Sequence, residues 1–279
     1  MASYKHFLVD TPFPFIAHVQ INRPKKMNAF LFRGDVARIQ NRHRHPLPVP
    51  RHPSHNCSAR DRAFCSGLDV QAASQNSVLA QKNSTPTDTA RKAVAIKRHV
   101  QEFQDCISSA EKCEKPVICV MHGIAFGLAI DISSCADIRI CTSDTKFAVK
   151  EVDIGLAADI GTLSRLPKIV GSFSWIKDVC LSARIFSGDE ALRVGFVSYA
   201  LPTKQDAIAK ALELGKLLAE KSPVAVQGTK ELLNHARDNK LADSLKYTGV
   251  WNSAAIQTTD VERAMLSGLK KTRPTFEKL

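Results

Sequence analysis

The sequence predicts an α/β fold with a helical C-terminal third, and three observations support this prediction. Two strand patterns begin the chain, at residues 7–9 and 15–21. A strand, a helix and two further strands follow between residues 117 and 150, an order typical of an α/β core. Amphipathic helical patterns occupy the last third. We therefore expect a core in residues 1–200 and a helical region, a cap or a subunit interface, in residues 201–279.

The composition is that of an ordinary globular protein. With 279 residues and 44% hydrophobic content, the chain can bury a substantial core. No apolar run approaches the roughly 20 residues that cross a bilayer, and residues 1–6 lack the hydrophobic stretch of a signal peptide. The eight cysteines show no C-x-x-C spacing, so neither a zinc site nor a disulfide framework is indicated. We expect a soluble protein that is not secreted.

The formal charge of +12 is unevenly distributed. Between residues 30 and 60 there are six arginines and one aspartate, so this short stretch supplies +5 of the total. The excess that remains is modest. It argues against nucleic acid as a partner and suits a phosphate-rich small molecule.

At the N-terminus, a Pro-containing turn joins the two strands, and the second alternates apolar and polar residues as a half-buried strand does. Residues 22–29 form a polar turn that leads into a helix. Residues 41–55 interrupt that helix with four prolines and four histidines, a composition incompatible with a helix or a central strand. Three explanations stay open: a disordered basic insertion, a segment translated in the wrong frame or left unspliced, and a His-rich metal site.

Order returns at residues 61–70, and regular patterns then continue to the C-terminal third. Residues 87–113 carry apolar side chains at helical spacing, and residues 117–121 form the continuous apolar run of a strand covered on both faces. The remaining elements predicted are a helix at 127–135, strands at 136–141 and 146–150, and helices at 206–218, 223–235 and 239–251.

Two glycine-containing turns are candidate binding elements, at residues 65–69 (Cys-Ser-Gly-Leu-Asp) and 122–131 (His-Gly-Ile-Ala-Phe-Gly-Leu-Ala-Ile-Asp). Each turn can present free backbone N–H groups. Two such donors that converge on one carbonyl oxygen would form an oxyanion hole, with an effect of about 3 kcal/mol per donor. The alternative is that both are ordinary turns.

Two carboxylates, Glu151 and Asp159, flank a turn at residues 155–158 in a stretch too apolar for a simple solvated face. Buried carboxylates have raised pKa values and can exchange protons near neutral pH. As isolated residues, the same side chains would serve as helix caps or salt-bridge partners.

Several blocks of sequence resemble the crotonase (enoyl-CoA hydratase/isomerase) superfamily. They are Asn22-Arg23-Pro24 with Asn28-Ala29, residues 63–69 and residues 136–139, and the similarity spans nearly the whole chain except residues 30–60. Residues 150–163 (KEVDIGLAADIGTL) resemble the Δ3,5-Δ2,4-dienoyl-CoA isomerase branch in particular. The resemblance implies a crotonase-like ββα spiral core with a C-terminal helical region for trimerisation or capping.

The resemblance also implies roles for individual residues. The implied catalytic carboxylates are Asp131, Glu151 and Asp159, and the implied oxyanion donors are the backbone N–H groups of Leu68 and Leu128. The residues implied to bind the CoA substrate are Ser66, Gly67, Leu68, Asp69, Val70 and Gly127. Hydratases of the superfamily have glutamate in place of Asp131 and glycine in place of Asp159, which favours the isomerase. The family usually has glycines at the positions of Leu128 and Ala129.

The expected reaction is isomerisation of 3,5-dienoyl-CoA to 2,4-dienoyl-CoA in fatty acid β-oxidation. Glu151 would remove a proton from C2 and Asp159 would protonate C6, or the two roles would be exchanged, while Asp131 tunes the pair electrostatically. No metal or redox cofactor is expected. An enoyl-CoA hydratase, or an inactive or basic RNA-binding protein that uses the arginine-rich stretch, is the alternative.

The resemblance implies a homotrimer or homohexamer. The last residues, Lys278-Leu279, resemble a peroxisomal signal but follow Glu277 where a small residue is usual, so the peroxisome is expected, with mitochondrion or cytoplasm as alternatives. In this family, residues 30–60 supply a helix and a central strand. Loss of that strand would cost several kcal/mol and would leave the chain unstable or inactive.

Overall fold

The computed structural model describes residues 6–30, 54–60, 62–69, 71–72 and 88–279. Its strands are β1 (Phe7–Phe13), β2 (Ile16–Ile21), β3 (Ser54–Ala59), β4 (Val117–Met121), β5 (Ile124–Phe126), β6 (Ile138–Thr142), β7 (Lys146–Ala148), β8 (Phe186–Ser187) and β9 (Tyr199–Leu201). They form a six-stranded sheet, ordered β1-β2-β3-β4-β6-β9, and a three-stranded sheet, ordered β5-β7-β8. The α/β fold class is thus confirmed.

The α-helices of the described residues lie between these strands and at the C-terminal end. They are α1 (Thr89–Ser108), α2 (Leu128–Ser134), α3 (Thr162–Ile169), α4 (Phe173–Ser182), α5 (Gly188–Arg193), α6 (Lys204–Ala219), α7 (Pro223–Asp238), α8 (Leu241–Ala255) and α9 (Thr259–Leu269). Short 3-10 helices occur at Pro24–Lys26 and Glu151–Ile154. None of the helices that the structure describes combines the length and the apolar character needed to cross a bilayer.

The N-terminal strand pair agrees with the sequence prediction. Strands β1 and β2 are antiparallel, with Phe7 opposite Ile21 and Phe13 opposite Ile16. β1 extends four residues beyond the predicted strand at 7–9, because Asp10 still pairs with His18 and, after a break in the register, Phe13 pairs with Ile16.

Strand β3 corrects the prediction that residues 30–60 supply no central strand. It lies between β2 and β4 and pairs in parallel with both, with Cys57 opposite Val19 and Cys119. The last proline of the disruptive stretch is Pro53, so every residue of β3 keeps the N–H that a central strand needs. Residues 31–53, and with them the three explanations for the proline- and histidine-rich sequence, lie outside the described residues.

Strand β4 is buried on both faces, as its continuous apolar sequence predicts. Cys119 and Met121 face the main hydrophobic core. Ile118 and Val120 face the other way and pack with Ala207 and with further residues of α6. Helix α6 therefore covers the outer face of the large sheet, and α2 and the small sheet lie on the inner side.

A buried asparagine fixes the loop that follows β3. Asn28 is fully buried, and its side-chain amide donates to the carbonyl oxygens of Arg60 and Ala63 at 2.8 and 2.7 Å. Its Oδ1 accepts from the backbone N–H of Arg23 at 2.8 Å. The loop then joins the small sheet through a bridge between Cys65 and Ala125. These contacts hold residues 62–69 beside β5.

The C-terminal third is helical, as predicted, and the predicted helices at 206–218, 223–235 and 239–251 correspond to α6, α7 and α8. Helices α3, α4, α5 and α9 were not predicted. α3 contains Pro167, a residue that normally argues against a helix interior, and α5 has only six residues. The division into two regions at residue 200 stays a prediction.

Candidate functional site

Two glycines bring the two predicted turns into contact. Gly67 and Gly127 both have positive φ, 98° and 53°, which glycine adopts without steric cost. A Cβ placed on Gly67 would lie 3.2 Å from the carbonyl oxygen of Phe126 and 3.9 Å from the backbone nitrogen of Leu128. The two turns, 60 residues apart in sequence, therefore meet at backbone distance.

The two predicted oxyanion donors lie at this junction. Within the described residues, neither the N–H of Leu68 nor that of Leu128 donates to a backbone carbonyl. The neighbours of Leu68 are paired, since the Gly67 carbonyl accepts from Phe30 and the Asp69 N–H donates to Phe30. Leu128 is the first residue of α2, where backbone N–H groups have no partner inside the helix. The backbone thus offers two donors at one place.

The Glu151 carboxylate lies against the same junction. A Cβ placed on Gly127 would lie 3.1 Å from Oε1 of Glu151 and 3.9 Å from the Cα of Gly67. Oε2 of Glu151 is buried and has no hydrogen-bond partner among the described residues. Burial raises the pKa of this carboxyl, and the negative charge of Asp159 raises it further. The group is therefore a stronger base than an exposed glutamate and is suited to take up a proton.

Asp131, the third predicted carboxylate, is buried, with 2% of its surface exposed. Its Oδ1 accepts hydrogen bonds from the backbone N–H and the hydroxyl of Thr162, at 2.7 and 2.8 Å. Burial raises its pKa to about 7; the Thr162 hydroxyl opposes the rise, and the charge of Glu151 adds to it. The structure thus brings Asp131 and Glu151 together, as the sequence predicts.

The prediction that Asp159 lies in a buried stretch is wrong, because its side chain is exposed. Residues 152–157, which include most of the 3-10 helix and the turn after it, are also exposed, among them the apolar Ile154 and Leu156. Asp159 still lies close enough to Glu151 to raise the pKa of that residue. Its main-chain carbonyl accepts from the side-chain amide of Gln104 at 2.6 Å, which fixes the loop to α1.

The predicted CoA-binding turn, residues 65–69, is held in place by hydrogen bonds to neighbouring parts of the protein. Asp69 is buried, and its carboxylate accepts from the Ala72 N–H at 3.1 Å and from Arg23 at 3.2 Å. These two contacts hold the pKa of Asp69 below its usual value, in spite of burial. Ser66 donates its backbone N–H to the Met27 carbonyl. Val70, which was also predicted to bind substrate, lies outside the described residues.

Sequence reasoning missed the residues that support the carboxylates. Thr162 binds Asp131, and Arg165, one turn further along α3, pairs with Glu111 at 3.0 Å. The hydroxyl of Ser108 accepts from the same Arg165 side chain at 2.7 Å. The only local signal was Gly161-Thr162 immediately after the acidic loop, a pattern that resembles a helix start.

Comparison with known proteins identifies relatives of this chain. The sequence profile described as enoyl-CoA hydratase/isomerase matches residues 57–278. The mitochondrial Delta(3,5)-Delta(2,4)-dienoyl-CoA isomerase of Homo sapiens is 35% identical over 94% of this chain and 79% of its own length. The peroxisomal Delta(3,5)-Delta(2,4)-dienoyl-CoA isomerase of Arabidopsis thaliana is 36% identical over 80% of this chain and 78% of its own.

A solved structure shows the same fold. The crystal structure of a putative enoyl-CoA hydratase from Streptomyces coelicolor A3(2) superimposes with a TM-score of 0.85, at 25% identity, over 99% of this chain and 96% of that one. The predicted crotonase-like architecture is therefore confirmed. Profile, relatives and fold agree, and the chain belongs to the enoyl-CoA hydratase/isomerase family of enzymes.

Proposed function

We propose that this protein isomerises 3,5-dienoyl-CoA thioesters to 2,4-dienoyl-CoA thioesters. The observation that carries the proposal is the position of the Glu151 carboxylate, which lies against Gly127 and beside the turn that contains Gly67. A thioester carbonyl bound to the backbone N–H groups of Leu68 and Leu128 would have its acidic C2 next to this carboxylate. The names of the human and Arabidopsis relatives support the same reaction.

The proton transfers follow from the chemistry of the substrate. Removal of a C2 proton by Glu151 leaves an enolate whose charge spreads over the conjugated chain as far as C6. The two backbone N–H groups stabilise the charge on oxygen, an effect of about 3 kcal/mol per donor. Asp159 then delivers a proton to C6, and the double bonds move from positions 3 and 5 to positions 2 and 4. The reaction is redox-neutral, so the proposal requires no cofactor besides the CoA of the substrate.

The assignment of base and acid rests on the different surroundings of the two carboxylates. Glu151 is partly buried beside the two glycine turns, and its Oε2 has no partner among the described residues. Asp159 is exposed in the single chain and lies further along the same loop, so we assign it to the far end of the conjugated chain. Asp131 completes the set, because the charge of Glu151 acts on it through the protein interior and raises its pKa.

An assay with 3,5-dienoyl-CoA tests the proposal through the absorbance of a diene conjugated to the thioester. We expect turnover by the wild-type enzyme and a loss of about 100-fold or more for Glu151→Gln and Asp159→Asn. Asp153→Asn is the matched control, because Asp153 is an exposed carboxylate of the same segment that pairs only with Lys150 among the described residues. Full activity of Asp159→Asn would contradict the two-carboxylate mechanism.

The same preparation separates the alternatives. Hydration of 2-enoyl-CoA without diene isomerisation would identify a hydratase. Salt-sensitive RNA binding without turnover of either substrate would favour a basic binding protein.

We also propose a homotrimer or homohexamer that assembles through the C-terminal helices. Its support is a set of exposed large apolar side chains on α8 and α9, where monomeric proteins usually bury such groups. They are Leu241, Leu245, Val250, Met265, Leu266 and Leu269. Light scattering on the purified protein measures the mass directly, and a monomer would overturn this proposal.

For the compartment we propose the peroxisome, supported by the name of the Arabidopsis relative, whereas the name of the human relative gives mitochondria. Microscopy of a fluorescent fusion with markers for both organelles distinguishes them.

A further inference from the structure

Thr162 makes two hydrogen bonds to one oxygen of a proposed catalytic carboxylate. Its backbone N–H and its hydroxyl both donate to Oδ1 of Asp131, at 2.7 and 2.8 Å. The two residues are 31 positions apart and lie on different helices, Asp131 on α2 and Thr162 at the start of α3. Both are buried. The contact therefore joins two elements through one fully enclosed pair.

The same contact completes the N-terminus of α3. The residue before the helix is Gly161, which has no side chain to cap the free N–H groups. Asp131 takes that role from the neighbouring helix when it accepts the Thr162 N–H. Because the N-terminus of a helix carries partial positive charge, this position favours the ionised form of the carboxylate.

Thr162 also ends the loop that carries the exposed carboxylate. Asp159 lies three residues before it, and Glu151 lies at the other end of the same loop. The loop has a second anchor, the hydrogen bond from Gln104 to the Asp159 carbonyl. Removal of the Thr162 contact would thus leave Asp131 without its side-chain donor and would loosen the end of the loop next to Asp159.

We propose that Thr162 is a positioning residue that favours the ionised form of Asp131 and aligns it beside Glu151, while it fixes the loop that presents Asp159. The inference rests on the proposed isomerase function, which it deepens. Thr162 itself contacts no substrate in this scheme and acts only through Asp131 and the loop.

Other charged and titratable groups face Asp131 from each surrounding element. Glu151 faces it from the 3-10 helix, Arg165 from α3, Cys65 from the glycine turn and Cys135 from the end of α2. Burial raises the pKa of both thiols to about 12, so they stay neutral at physiological pH. Arg165 is already paired with Glu111. Glu151 is therefore the main group that opposes ionisation of Asp131, and Thr162 is the main group that favours it.

The test compares Thr162→Val, which removes the hydroxyl at nearly constant shape, with Thr162→Ser, which keeps it. Ser164→Ala on the exposed face of α3 is the matched control. In the wild-type enzyme we expect isomerase activity to rise with pH as Asp131 ionises near pH 7. Thr162→Val lacks a donor to the charged form of Asp131, so the midpoint of this rise in activity should move to higher pH by about one unit. Thr162→Ser and Ser164→Ala should retain the wild-type midpoint.

A second readout does not depend on activity. The carboxyl ¹³C resonance of Asp131, assigned by its loss in Asp131→Asn, should titrate at higher pH in Thr162→Val than in the wild-type protein. If Thr162→Val does not fold, Thr162→Ala removes the same hydroxyl without a new methyl group in its place.

The outcomes separate the two proposals. If the wild-type protein is inactive on dienoyl-CoA but the Asp131 resonance still shifts in Thr162→Val, the proposed function is refuted and the effect of Thr162 on Asp131 is supported. An active wild type whose pH profile and resonance are unchanged in Thr162→Val would overturn the inference about Thr162. A uniform fall in rate at every pH, equal in the valine and serine variants, would also overturn it, because that pattern indicates only lost packing.

Discussion

Replacement of Asp131 by asparagine measures how much a buried ionisable carboxylate lowers the free energy of unfolding. Asparagine has nearly the same shape and retains the Oδ1 acceptor for both Thr162 donors. It removes the charge and replaces the second carboxylate oxygen with an NH2 group. The variant should therefore lose isomerase activity and, at neutral and alkaline pH, gain stability.

The sign and size follow from the raised pKa of Asp131. Its ordinary value of 3.8 applies to the unfolded chain, and burial raises it to about 7 in the fold. Between these values the folded protein holds one more proton than the unfolded chain, so the free energy of unfolding falls as pH rises. Each pH unit corresponds to about 1.4 kcal/mol, and the interval spans about three units. Ionisation of Asp131 thus costs the wild-type protein on the order of 4 kcal/mol above pH 7.

Urea unfolding at several pH values measures this difference. We expect the wild type and Asp131→Asn to have similar stability near pH 4, and the variant to be more stable by several kcal/mol at pH 8. Asp144→Asn, at an exposed carboxylate of the turn before β7, should follow the wild type throughout. A constant difference between Asp131→Asn and the wild type from pH 4 to pH 8 would refute the reasoning, because it would mean that Asp131 keeps its ordinary pKa.

Further variants test the site and the core. Gly127→Ala should lower kcat about 100-fold and the free energy of unfolding by about 1–2 kcal/mol, because φ is 53° and the new Cβ would lie 3.1 Å from Oε1 of Glu151. Gly171→Ala is the control, because a Cβ there meets nothing within 4 Å, and it should change neither kcat nor stability. Lys230→Met should cost about 1–3 kcal/mol in urea unfolding, because the Asp137 carboxylate, whose side chain is 23% exposed, loses its cationic partner at 2.8 Å and keeps the Val117 N–H as a donor. An unchanged midpoint would contradict this ion-pair argument.

The parts of the fold that the sequence predicts well are those where periodicity follows burial. Strand β4 is an uninterrupted apolar run, and both of its faces are covered. Helix α1 was predicted over 87–113 and spans Thr89–Ser108, and its buried residues, which include Phe103 and Ile107, lie in its C-terminal turns. Strand β3 was not predicted because the neighbouring prolines dominated the local composition, although none of them lies within the strand itself.

The candidate site was also predicted only in part. Glycine turns and carboxylates are visible in sequence, and the structure brings Gly67, Gly127 and Glu151 together as expected. The support of Asp131 by Thr162 was not predictable, because a hydrogen bond across 31 residues leaves no periodic signal. The exposure of Asp159 was not predictable either, because apolar neighbours such as Ile154 suggest burial even where the loop runs over the surface.

The departure from the usual family glycines at Leu128 and Ala129 is compatible with the site because of where helix side chains point. Both side chains belong to the buried core, with 5% and 0% of their surface exposed. At the first turn of α2, the free N–H groups point out of the helix end, whereas the side chains project from its flank. Leu128 can therefore fill the core with its side chain and still offer its backbone N–H beside Gly67. The backbone conformation at Gly127, rather than the residue type after it, is the feature on which the proposed oxyanion hole depends.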